Sequence, residues 1–81
     1  MPNYARAYFA RGSAFGQMGD HARAIEDFTK AIESDASYAQ AYHSRATAFF
    51  FLKQYDKAWA DINKCRQLGM TPNPGMIDNL A

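Results

Sequence analysis

Two charged pairs recur at a fixed distance along the chain. Arg11 and Asp27 are separated by the same interval as Arg45 and Asp61, and the second pair follows the first by 34 residues. An arginine beside a carboxylate can bind an anion or support acid–base chemistry. Catalysis would also require a nucleophile, a base and a group to orient them. None accompanies either pair, so the spacing is read as one structural ion pair in each half of the chain. The other chemically capable residues are sparse. Cys65 is the only cysteine, which excludes an internal disulfide, and it reads as a small buried residue on a helix. His21 and His43 stand apart from each other and from any second ligand, so no metal site is expected. There is no glycine-rich phosphate loop and no triad-like constellation. The expectation is a chain that is not an enzyme and carries no cofactor.

The elements that hold these pairs follow from the repeat. Sliding the sequence by 34 lays YARAYFARGSAF (residues 4–15) over YAQAYHSRATAF (residues 38–49), and ten positions are identical between 4–37 and 38–71. Tyr8, Arg11 and Phe15 step by three and four, as does their second copy, Tyr42, Arg45 and Phe49; this is the spacing of one helix face. Breaks between helices follow the chemistry of helix ends. Asn3 can cap a first helix. Gly19 can stop it, and Asp20 can cap the second. The SDAS stretch at 34–37 ends the second helix, and Ser37 with Gln40 matches a capping box for the third. KQY at 53–55 is a weaker turn without glycine. LGMTPNPG at 68–75 is a strong stop, after which Asn73 and Pro74 can open a short last helix. The expected fold class is therefore all-α: four helices in two hairpins, plus a C-terminal stub.

Composition is consistent with this and narrows the function. At 81 residues, 48% hydrophobic and 15% aromatic, the chain is long enough for one small folded domain. Its 9 basic and 8 acidic residues form no basic stripe, so nucleic acid is not an expected partner. The longest uninterrupted apolar run, Ala48–Leu52, is far too short to span a membrane. The N-terminus MPNYARAYFARG lacks the apolar core of a secretory signal. A cytoplasmic setting is the expectation, unless the chain is part of a longer protein.

A 34-residue helix–turn–helix unit with small residues at fixed offsets resembles the tetratricopeptide repeat. The first unit, 5–38, carries the pattern at Tyr8, Gly12, Phe15, Gly19, Ala24, Phe28 and Ala31. The second, 39–72, carries it at Tyr42, Ala46, Phe49, Ala58, Ile62 and Cys65. The resemblance implies a single domain over residues 1–81, stacked as a fragment of an α-solenoid, with a capping helical stub at 73–81. Three departures stand out. Arg11 and Arg45 occupy the family's Leu position, Ala36 and Met70 its Pro position, and Lys53 the glycine of the inner turn.

The resemblance also implies a use, since such arrays hold a peptide or helix of another protein in a concave groove lined by the first helix of each repeat. Carried over by position, the groove residues are Arg6, Phe9, Ser13, Gly16 and Gln17, then Gln40, His43, Thr47, Phe50 and Phe51. Phe9, Phe50 and Phe51 are large apolar groups at places where a solvated helix would carry polar ones, and exposed aromatic clusters mark contact surfaces. Some family members capture acidic C-terminal tails with a Lys, Asn and Arg clamp. Phe9 and Ser13 stand where its first Lys and Asn would fall, so an apolar or aromatic segment is the expected partner, with Arg6 and His43 lending one edge a weak positive charge. The alternative is self-association through the Phe-rich face, or by exchange of hairpins if the SDAS turn straightens, because two repeats are few for a continuous core.

Overall fold

The computed structural model describes residues 4–70, and they form four helices: α1 (Tyr4–Gln17), α2 (His21–Ser34), α3 (Ala39–Phe51) and α4 (Tyr55–Gln67). Asn3 and the stub after Asn73 lie outside the described residues. Each of α1 and α2, and of α3 and α4, makes a hairpin. α2 packs on both α1 and α3, whereas α1 and α3 barely touch. The hairpins thus stack into an all-α solenoid fragment, with α2 as the element shared between them.

Helix ends explain the turns. After α1, Asp20 N–H donates to the Phe15 carbonyl at 2.9 Å and Gly19 N–H to Gly16 at 3.0 Å, with Gly19 at φ +84. This is the paired closure that favours glycine in the left-handed region. The same closure ends α4, through Met70 to Cys65 and Gly69 to Arg66, with Gly69 at φ +89. It also ends α3, through Gln54 to Phe49 and Lys53 to Phe50, but here Lys53 takes the left-handed conformation at φ 61. Asp20 caps α2 as its position suggests, its carboxylate accepting from Arg23 N–H at 3.2 Å.

The start of α3 corrects the sequence reading. Ser37 does not cap it: Tyr38 is the N-cap residue and makes no side-chain capping bond. The Ser37 hydroxyl and N–H both donate to the Asp35 carboxylate instead, at 2.8 and 3.0 Å. A carboxylate two residues back captures the serine before it can reach forward, and it stabilises the turn in place of the helix.

The interior is built from small side chains. Ala24, Ala31, Ala41, Ala46 and Ala58 are fully buried, and Ile62 and Cys65 are the largest side chains buried to that extent. Small residues let helices approach closely, and aromatics fill the margins. Gly12 shows how tight the first hairpin is. A Cβ placed there would lie 2.8 Å from the Phe28 ring and 3.1 Å from Asp27 Cβ. In the second hairpin the same two places hold Ala46 and Ile62, where a smaller partner leaves room for the methyl.

Candidate functional site

The two Arg–Asp pairs form as their spacing suggests, and their geometry is structural. Arg11 donates from Nε and Nη2 to Asp27 at 2.8 Å each. Arg45 does the same to Asp61 at 2.8 and 2.7 Å, and its Nη1 also reaches the Thr29 hydroxyl on α2 at 3.1 Å. Both carboxylates are buried. Hydrogen bonds from Arg11 hold the Asp27 carboxyl below its usual range, and those to Asp61 push the Arg45 guanidinium up. Each arginine also lies over its own repeat's tyrosine, Arg11 at 5.8 Å from the Tyr8 centroid and Arg45 at 5.7 Å from that of Tyr42. Cys65 is packed inside, its thiol against the Ala39 carbonyl at 3.2 Å, and burial raises its pKa. Among the described residues no three His, Cys, Asp or Glu side chains gather where a metal could sit, and no helix is long and apolar enough to cross a membrane.

The concave feature lies between α1 and α3. A groove of about 280 Å³ is walled by Ser13, Gly16 and Gln17 from α1 and by His43, Thr47 and Phe51 from α3. Its floor is Ala24 and Phe28 of α2, both buried. Phe51 is 59% exposed. His21, the first residue of α2, lies flat against Phe51, with centroids 4.7 Å apart and planes 6° from parallel, so the two rings close one end of the groove. Burial lowers the pKa of His43, which favours the neutral ring in this wall.

Six of the ten positions expected in the groove therefore share it, and four do not. Arg6 and Gln40 border a separate depression with Ala5, Asp35 and Tyr38, near the other end of α1 and α3. Phe9 is not an open apolar position: it stacks on Tyr38 at 5.2 Å and meets Phe28 at 5.6 Å. Phe50 turns the other way. It is half-buried against the Ala46, Ala58 and Ile62 cluster alongside Phe49 and Trp59, and its ring meets Tyr55 at 5.8 Å. Successive helical residues diverge by about 100°, so three consecutive phenylalanines cannot share one face. Phe49 and Phe50 pack on the core, and Phe51 is the ring left to the groove. The sequence reading missed His21, Ser44 and the α2 floor. His21 was detectable only by position, as the residue directly after the Asp20 cap at the groove's mouth.

A stack of helical hairpins whose first helices wall a groove defines a helical-repeat protein. The chain belongs to the tetratricopeptide-repeat family: models of that repeat match residues 5–38 and 39–68. Among characterised proteins it is similar to Hsp70-Hsp90 organizing protein 3 of Arabidopsis thaliana, at 37% identity over 57 residues. That match covers 70% of this chain and 10% of the relative. Repeats of this family are protein-interaction scaffolds, and the chain is of that type.

Proposed function

We propose that the chain holds an apolar or aromatic segment of a partner protein in the groove between α1 and α3, as a binding module and not as an enzyme. The observation that carries this reading is the exposed Phe51 ring, held by His21 at the rim of a groove with a buried apolar floor. Exposed aromatics rimmed by polar groups such as Ser13, Gln17 and Thr47 are the usual composition of a contact surface. The Arg and Asp side chains that could have served catalysis are engaged with one another in the scaffold.

The relative's name describes a protein that organises Hsp70 and Hsp90, which supports an adaptor role here. It does not carry the same client over, because Phe9 and Ser13 stand at positions where a tail-binding clamp would need Lys and Asn. Self-association through the Phe-rich face is the weaker reading, since Phe50 is withdrawn into the core and a single ring remains.

Short peptides bearing Phe, Trp or Leu, titrated by fluorescence anisotropy, test the proposal. Binding is expected with the intact chain and lost with Phe51→Ala or with Thr47→Arg, which fills the groove. Peptide binding indifferent to both changes would sink it.

A further inference from the structure

The junction between the two hairpins provides a template for what the open edge of α1 can bind. Four contacts hold α3 and its N-cap residue Tyr38 against the first hairpin. Tyr38 stacks on Phe9; the Tyr42 hydroxyl donates to the Ala36 carbonyl at 3.1 Å; Arg45 Nη1 donates to Thr29; and Phe51 lies on His21. Of the residues that α3 and its N-cap present to this junction, Tyr38, Tyr42 and Arg45 recur on α1, 34 positions earlier, as Tyr4, Tyr8 and Arg11, and Gln17 stands at the place of Phe51. Lys30 lies over the Tyr8 ring at 5.6 Å, but among the described residues no further helix packs on this face of α1. Ala41 is fully buried, yet its counterpart Ala7 is exposed, and Ala48 is buried where Ala14 is exposed. The Arg45 side chain is 19% exposed and that of Arg11 57%. Tyr4 is 61% exposed.

The far edge of the molecule supplies the complementary set. Counting 34 residues on from Phe9, Ala36, Thr29 and His21 gives His43, Met70, Asn63 and Tyr55. Each can replace its counterpart chemically. His43 offers a ring to Tyr4. The Met70 carbonyl can accept from the Tyr8 hydroxyl whatever its side chain is. The exposed Asn63 offers an amide oxygen to Arg11 Nη1. The exposed Tyr55 ring can lie on the stem of Gln17. The stripe of Ala7 and Ala14 gives a neighbouring helix the close approach that Ala41 and Ala48 give α2.

We infer that α1 docks α4 of a second copy of this chain, head to tail, continuing the α2–α3 junction between molecules. Two repeats bury little, and stacking is how repeats of this kind gain core. The surface meets the groove assigned to the partner segment only at Gln17 and His43, while Ala7, Tyr8, Arg11, Tyr55 and Asn63 lie outside it, so the inference does not rest on that reading. A heterologous contact of this kind does not close on itself, so assembly proceeds past the dimer.

Sedimentation equilibrium of the full chain, from micromolar to millimolar concentration, is the test. The mass average is expected to climb beyond the dimer without a plateau. Ala7→Glu, at an exposed helical position, is expected to weaken association by about tenfold or more, and Asn63→Lys, which sets a cation against Arg11, to act in the same direction. Asn63→Asp is expected to strengthen association several-fold, with the gain fading in high salt. Circular dichroism should be unchanged in all three variants. A monomer at every concentration, a closed dimer, or association that responds to Phe51→Ala but not to Ala7→Glu would overturn the inference.

Discussion

The imidazole of His21 lies flat on the ring of Phe51, at 4.7 Å, joining the first residue of α2 to the last residue of α3. This contact holds Phe51 at the groove while its neighbour Phe50 faces the core. The two adjacent rings should therefore separate function from stability. Phe50→Ala is expected to cost about 2–3 kcal/mol in urea denaturation, because it opens a cavity beside Ala46, Ala58 and Ile62. Phe51→Ala is expected to cost under about 1 kcal/mol, the value of one exposed ring pair, and to abolish peptide binding. The reverse ranking in denaturation would show that the two faces are misassigned.

The two ion pairs look alike in sequence but not in their surroundings. Arg45 is largely covered and bonded to both Asp61 and Thr29, while most of the Arg11 side chain meets solvent. Both carboxylates are covered, but water can take the place of the exposed Arg11 guanidinium beside Asp27 and has less access to Asp61 behind the covered Arg45. Arg45→Ala should therefore destabilise the fold by about 3 kcal/mol. Arg11→Ala should cost clearly less, and matched urea titrations of the two variants give the comparison.

Lys53 takes a backbone conformation that Gly19 adopts freely one repeat earlier. A left-handed φ costs a side-chain-bearing residue roughly 1 kcal/mol or more, partly offset by the larger entropy that glycine loses on folding. Lys53→Gly is expected to raise stability by about 0.5 kcal/mol, seen as an upward shift of the melting midpoint. Lys53→Val should lower it, since a β-branched side chain tolerates this φ least.

These positions also show what the sequence could reveal. The Arg–Asp pairs, the Asp20 cap and the Gly19 stop were legible because residue type and period are enough to specify them. The fate of Phe9 was not, because the residue that covers it, Tyr38, arrives from the far end of the repeat as the N-cap of α3, and no local pattern encodes a contact at that separation. Phe50 was misread for a related reason. Its counterpart in the first repeat is Gly16, which has no side chain to indicate a direction. The α3–α4 turn brings Tyr55 against the ring, which packs on Ala46, Ala58 and Ile62. The Ser37 capping box failed to a nearer competitor, Asp35, two residues away.

Gly12 and Phe28 should behave as a coupled pair. Gly12→Ala gains helix propensity worth about 1 kcal/mol but drives a methyl into the Phe28 ring and toward Asp27 Cβ. The rigid ring and the anchored carboxylate leave the methyl little escape, so the net change is expected to be destabilising by about 1 kcal/mol. Adding Phe28→Ile reproduces the Ala46–Ile62 arrangement of the second hairpin, and the double variant should be more stable than the sum of the singles. Additivity in the double-mutant cycle would refute the close approach.

Acid should weaken the fold in two stages, each with its own residue. Burial holds the His43 pKa below its ordinary 6.5, so as the pH falls through 6.5 the unfolded chain takes up a proton that the folded chain refuses. Stability is therefore full above 6.5 and declines as the pH drops toward the folded value. His43→Gln should flatten that part of the profile. Asp27 supplies the second stage. Its pKa is held below the ordinary 3.8 by hydrogen bonds from Arg11, so its contribution is present above 3.8 and is lost as the pH falls further. Urea midpoints measured from pH 7.5 to pH 3 separate the two, because Asp27→Asn should remove the lower limb and leave the slope near pH 6 in place. A profile flat between pH 7 and pH 5 in the unmodified chain would rule out the half-buried, neutral His43 on which the upper stage depends.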